Sequence, residues 1–302
     1  MLGWIWRGLR TGVLTTRYPA GCPQGADSLP PVFRGRPVID QARWRAGAGD
    51  AAVAICPTQA LQAAPEGLRL DLSRCIQCGL CAAVCPEAIQ MRPDFELAAR
   101  QQPDLVLGVD GVPQEEQVLP VVQQAVAKRV ADLRRSVHIR HVDAGSDGAV
   151  EQEIYALTNP YYDIHRLGLF FTPAPRHADV LLVTGAMTRA MAQPLRDTYE
   201  AMPQPKLVVA AGTAACSGGI YRGSYTILDG VAAVLPVDVF IPGAPPPPLA
   251  LIYGLLLGLG RMVQRVPEQR PEPEDRDDFS HVLPNPNGVA RKSFVEDAGE
   301  RR

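Results

Sequence analysis

The chain lacks any run of the roughly 18 apolar residues that a membrane-spanning helix needs. Its longest apolar candidate, Leu249 to Leu259, is too short and reads as a buried helix. Charge of one sign is missing as well. Thirty Lys and Arg stand against 32 Asp and Glu, a net of −2, so the balance gives no reason to expect nucleic acid as a partner. A local basic stretch, Lys128 to Arg135, sits in a helical pattern and reads as a solvated face. No G-x-G-x-x-G follows a strand candidate, which leaves a dinucleotide without its phosphate loop. Histidine is scarce, and His138, His141, His165 and His281 show no metal-ligand spacing. No signal peptide is expected, because the apolar core and small-residue cleavage site are not clear.

What is present is organised in blocks. Leu2, Ile5, Trp6 and Leu9 share one helical face, which suits a membrane surface, a partner subunit or the chain's own domain. Residues 15–36 are rich in Pro, Gly and Arg and read as an extended arm. Residues 37–92 contain an internal repeat: "RPVID…AICPTQAL" is echoed by "LRLDL…AVCPEAIQ". Each half carries an apolar strand, then a segment ending in Cys-Pro. The segment 93–116 is Gln-, Pro- and Asp-rich and reads as a linker, followed by a helix over 117–135. Four apolar strand candidates come next: Val137–Val142, Ala178–Thr184, Lys206–Ala211 and Val237–Ile241. Helical stretches near 151–157, 189–201 and 246–260 separate them. Strands alternating with helices predict a parallel sheet with helices on its faces. From 264 to 302 the chain is charged and Pro-rich, and is expected to be disordered.

Cysteines number seven, and Cys75, Cys78, Cys81 and Cys85 crowd together. A disulfide scaffold would spread them, so the clustering argues for metal in a reducing compartment. "CIQCGLCAAVCP" is C-x2-C-x2-C-x3-C-P, a specific signal for a [4Fe–4S] cluster. The two-residue spacings let three thiolates curl round one cluster, Gly79 permits close backbone approach, and loop N–H groups can bond the sulfurs. A zinc site would more often show two separated Cys pairs. In two-cluster ferredoxins the fourth cysteine of each run ligates the other cluster. Here the first run reads Ala46, Gly49 and Ala52 where ligands belong, and only Cys56-Pro57 remains of it. One cluster is therefore expected, on Cys75, Cys78, Cys81 and Cys56, with Cys85 as the alternative fourth ligand. Cys22 and Cys216 read as chemically silent.

"PPVFRGRPVID", the repeat unit and "AIQMRPDFELA" resemble the two-cluster, ferredoxin-like subunit of complex I and of group 4 [NiFe]-hydrogenases. Residues 134–260 resemble a neighbouring subunit of those machines. This is the B-type (20 kDa-type) subunit of NADH:quinone oxidoreductase, or the small subunit of formate hydrogenlyase-type hydrogenases. The stretches that carry this second likeness are "RRSVHIRHVDAGS", "NPYYDIHRLGL", "PRHADVLLVTGAMT", "PLRDTYEAMPQPKLVVAAGT", "CSGGIY" and "PVDVFIPGAPPPPLALIYGLL". Together the resemblances cover about residues 1–260 and suggest a fusion of the two subunits.

The resemblance implies a layout. Residues 1–36 are an amphipathic helix and arm, 37–92 a ferredoxin-like domain of α+β class, 93–133 linker and helix. Residues 134–263 are an α/β domain with a parallel sheet of about four strands, and 264–302 a tail. The family's second domain holds its own cluster on four cysteines, yet Asp147, Val150, Ala214 and Ala244 occupy those positions here. Arg176 and His177 belong to a stretch that lies near that cluster in the family, and a structural role is expected of them. The implied function is an electron-transfer subunit in a membrane-associated oxidoreductase complex, with a hydrogenase-like large subunit and membrane-arm subunits as partners. It is expected on the cytoplasmic side of the membrane, peripheral through the complex. The alternative is a non-catalytic assembly subunit whose single cluster serves folding.

Overall fold

The computed structural model describes residues 3–20, 29, 33–44, 48–64, 67–108 and 136–265. The helix expected over 117–135 and all of the tail beyond Arg265 lie outside the described residues. Helix α1, Gly3–Thr11, carries Ile5, Trp6 and Leu9 at 38%, 73% and 75% exposure. Its apolar face is thus not folded onto the described part of the chain. The arm behind it is anchored. Thr16 N–H donates to the Tyr161 carbonyl at 2.8 Å, and Tyr18 is buried edge-on to Phe95.

The repeat folds as two β-α-β halves that exchange strands. The first half is β1 (Arg36–Ile39), α2 (Ala48–Ala54) and β2 (Leu61–Ala64). The second is β3 (Gly67–Asp71), α3 (Leu80–Val84) and β4 (Ile89–Arg92). The first strand pairs antiparallel with the last, Ile39 opposite Ile89, and β2 pairs with β3, Leu61 opposite Leu70. Strand pairing across the halves brings the Cys56-Pro57 segment beside the second half's loop.

The segment 93–107, read as linker, is folded instead. Leu97, Ala98, Ala99 and Leu105 are buried, and β5 (Val106–Leu107) joins the sheet beside β3. Ala99 and Phe240 exchange both backbone hydrogen bonds, at 3.0 and 2.8 Å. Four apolar residues among Gln, Pro and Asp bury themselves in an irregular path, which leaves no period for a sequence reading to detect. Gln264 and Arg265, read as the start of the tail, are held as well: Gln264 accepts from Arg100 N–H at 3.0 Å, and Arg265 forms an ion pair with Glu96.

The second domain runs β6 (Val137–Asp143), α4 (Ala149–Ala156), β7 (Leu169–Phe171), β8 (Val180–Thr184), α5 (Ala192–Ala201), β9 (Leu207–Ala211), α6 (Thr213–Ser217), β10 (Val239–Ile241) and α7 (Pro248–Gly258). Its five strands are parallel in the order β10-β9-β8-β6-β7. The four expected strands form its centre and one edge. The fifth, β7, has three residues, too few to announce themselves in sequence. Every residue of β8 and β9 is buried, as a parallel sheet covered on both faces requires. Helix α7 is buried along its whole length and lies close enough to β10 that glycine is needed at 254. The register sets Asp143, Thr184, Ala211 and Ile241 side by side. The loops after β6, β8, β9 and β10 therefore emerge along one edge of the sheet.

A candidate iron–sulfur site and its neighbouring loops

The cluster loop is shaped before any ligand binds. Asp71, at the end of β3, accepts from Ser73 N–H at 2.9 Å and from Ser73 Oγ–H at 2.6 Å, turning the chain out of the strand. Gln77 and Gly79 then adopt positive φ, 57° and 80°, which curls Cys75 to Cys81 into a tight loop before α3. The Arg34 guanidinium donates to the Cys78 carbonyl from outside. On the other half, α2 ends just ahead of Cys56-Pro57.

These two segments meet. One cavity is lined by Cys56, Cys75, Cys78 and Cys81, with Leu70 and Met91 among the apolar residues that complete it. Cys85 does not line it. It lies buried at the end of α3, in the core cluster that also contains Ala52 and Ile89. Backbone N–H groups already point at the sulfurs: Ala60 N–H donates to Cys56 Sγ at 3.3 Å, and Gln77 N–H to Cys75 Sγ at 3.4 Å.

The electrostatics report the same convergence. Burial pushes the Cys75 thiol up to about 12, opposed by the Gln77 N–H and reinforced by Cys81, Cys56 and Cys78. Burial also raises Cys81, with Cys78 and Cys56 adding to it. Burial that disfavours the thiolates of Cys75 and Cys81 is offset when a cationic group binds beside them. Metal ions on thiolates do this, releasing protons as they bind. Among the described residues no three or more His, Cys, Asp or Glu side chains are gathered to hold a single metal ion. A [4Fe–4S] cluster takes four cysteine thiolates, the donor type that lines this cavity.

The loops after β6, β9 and β10 hold the other predicted positions. Val150 is buried and its Cγ2 lies 2.9 Å from where a Cβ on Gly212 would sit. Thr213 N–H donates to the Gly243 carbonyl at 2.7 Å. The segments containing Val150, Ala214 and Ala244 are therefore neighbours, with the Val150 side chain against Gly212. Asp147 and Ala244 themselves are exposed, and Ala214 is half-buried. Beside them Glu151 accepts from the Ser146 hydroxyl at 2.5 Å and from the Thr184 hydroxyl, whose oxygen lies 2.8 Å from His141 Nε2. Burial lowers the His141 pKa, so this polar cluster is internally satisfied without a charged imidazole. Arg176 and His177 are exposed in the turn before β8, at the opposite, amino end of the strands. Cys216 is fully buried and weakly bonded to the carbonyls of Ala210 and Ile241.

Sequence reasoning missed the residues that join the two domains at the cluster loop. Thr213 Oγ donates to the Cys75 carbonyl at 3.0 Å, and Ser217 Oγ to the Ser73 carbonyl at 2.7 Å. No spacing rule links residues so far apart in the chain.

Two protein families match parts of the chain. Residues 68–89 match a family described as a 4Fe-4S binding domain, and residues 148–257 one described as NADH ubiquinone oxidoreductase, 20 Kd subunit. Formate hydrogenlyase subunit 7 of Escherichia coli (strain K12) is 37% identical over 162 residues, covering 54% of this chain. The chain spans 64% of that relative's length. A chain of the membrane-bound sulfane sulfur reductase, an archaeal respiratory membrane complex, is 30% identical with a TM-score of 0.38, over 45% of this chain and 73% of that one. A stretch similar to a 4Fe-4S binding domain is thus followed by one similar to the 20 kDa subunit.

Proposed function

We propose that this chain is an iron–sulfur subunit of a membrane-associated complex related to complex I and group 4 [NiFe]-hydrogenases, holding one [4Fe–4S] cluster on Cys56, Cys75, Cys78 and Cys81. The observation that carries the reading is the shared cavity of those four thiols, with Cys85 outside it. When bound, the cluster supplies one-electron transfer. The chain's own residues fix its seat: the Asp71–Ser73 turn shapes the loop, Leu70 and Met91 limit water, and the N–H groups of Ala60 and Gln77 offset thiolate charge. Asp147, Val150, Ala214 and Ala244 supply no thiolate, so a second cluster is not part of the proposal. Partners of the kind found in such complexes, a large subunit and membrane-arm subunits, are proposed from the relatives. Among the described residues no helix is long and apolar enough to cross a membrane, which suits peripheral attachment through those partners on the cytoplasmic face.

A second reading, an assembly subunit whose cluster serves folding, is favoured by Asp147, Val150, Ala214 and Ala244, which put no thiolate in the second domain's loops. Anaerobic purification of the complex, with iron and acid-labile sulfide measured per chain, tests the cluster count. About four of each is expected from one cube. A value near eight would show that the second domain binds a cluster and overturn the single-cluster reading. Reoxidation of the reduced cluster within turnover of the intact complex separates the carrier from the scaffold, since a scaffold's cluster stays reduced.

A further inference from the structure

The short helix α6 opens two residues after β9, on the edge of the sheet where the loops emerge, and it lies directly against the cluster loop. Thr213 is 1% exposed. Its hydroxyl donates to the Cys75 carbonyl at 3.0 Å and accepts from Gly243 N–H at 3.2 Å. With proton and lone pair both engaged, the hydroxyl has one orientation, and its positive end faces the backbone of a cluster cysteine. One turn on, Ser217 is 4% exposed and donates to the Ser73 carbonyl at 2.7 Å. Gln102 closes the seam, its Nε2 reaching Ser73 Oγ at 3.3 Å and the Cys216 carbonyl at 3.4 Å. Three of these four contacts land on Ser73 and Cys75, where the cluster loop opens, and the fourth ties Gln102 to α6.

We infer that Thr213 is a positioning residue for the cluster of the first domain: through the Cys75 carbonyl it fixes the loop and raises the cluster's reduction potential, with Ser217 as the second anchor. This rests on the proposed function, since it presupposes a cluster on Cys75. The physical ground is that hydrogen bonds and dipoles around a cluster set its potential, and that supporting groups outside the ligand shell orient the ligands. A donor aimed at the Cys75 carbonyl withdraws electron density from the peptide beside the ligand. It therefore favours the reduced, more negative cluster. The loop at 212–214, which holds no cysteine of its own, acts on the neighbouring domain's cluster instead.

The test uses the full chain in its complex, isolated anaerobically, with redox titration followed by electron paramagnetic resonance and iron release to a chelator as readouts. Thr213→Val should move the midpoint potential to a more negative value and speed iron release several-fold. Thr213→Ser, which keeps donor and acceptor, should restore both. Ser217→Ala should speed iron release while moving the potential less than Thr213→Val does. If Thr213→Val titrates and releases iron like the wild type, the inference fails and the proposed function stands. If Ser217→Ala shifts the potential as far as Thr213→Val, the effect is a general loosening of the seam and the specific role of Thr213 is overturned. A wild type without a reducible cluster signal defeats both.

Discussion

Cys56 and Cys85 are each followed by proline and are equivalent by repeat, yet their surroundings differ. Cys56 is half-exposed at the cavity, its sulfur already accepting an N–H from Ala60, while Cys85 is buried beside α2 in a core. In two-cluster ferredoxins each Cys-Pro serves the opposite half's cluster, and by that rule Cys85 pairs with the stretch that holds Ala46, Gly49 and Ala52 at the ligand positions. Cys56→Ser should bleach the iron–sulfur absorption or convert the cluster to a three-iron form. Cys85→Ser should leave it in place, at about 1 kcal/mol of stability for burying an added hydroxyl. The visible spectrum of each variant decides; a cluster lost only from the Cys85 variant would show that Cys85 is the ligand. The cysteine spacing made the 4Fe-4S motif legible from sequence at this scale, and the choice between Cys56 and Cys85 rests with these two variants. It could not show the Thr213 contact, which depends on how two domains meet.

At the scale of elements, legibility followed length and burial. The apolar runs of β8 and β9 and the eleven residues of α7 declared themselves because both faces of a parallel sheet, and a helix beneath it, are dry. The segment 93–107 did not, since its buried residues follow a path with neither helical nor strand period. Helix α7 also offers a packing test. A Cβ at Gly254 would lie 2.4 Å from both Cγ1 and Cδ1 of Ile241, itself fully buried, whereas one at Gly258 would meet Val239 Cγ2 at 3.1 Å. Alanine in mid-helix gains about 1 kcal/mol over glycine. Overpacking a dense core costs about 1–3 kcal/mol. Gly254→Ala should therefore lower the melting temperature, and Gly258→Ala should lower it less or leave it unchanged. Equal effects at the two positions would place the helix wrongly against β10.

For the whole molecule, the question is whether the two domains behave as one. The seam between them is made of backbone and buried polar bonds. Ala99 and Phe240 pair as a bridge, Arg100 donates to the Leu257 carbonyl at 2.8 Å, and Thr213 and Ser217 hold Cys75 and Ser73. Buried groups that lose such partners cost roughly 1–3 kcal/mol each, so opening the seam alone is expensive compared with ordinary stabilities of about 5–15 kcal/mol. Loss of iron leaves the four cysteines of one cavity unligated and releases the loop on which Thr213 and Ser217 are seated. The disturbance should pass into the sheet through α6 and β9. Removing the iron with a chelator should then speed amide hydrogen exchange in β9, β10 and α6, and calorimetry should show the second domain melting at a lower temperature together with the first. Two independent transitions, with exchange in the sheet indifferent to iron, would mean that the contacts at Cys75 and Ser73 carry no coupling and that the domains merely lie side by side.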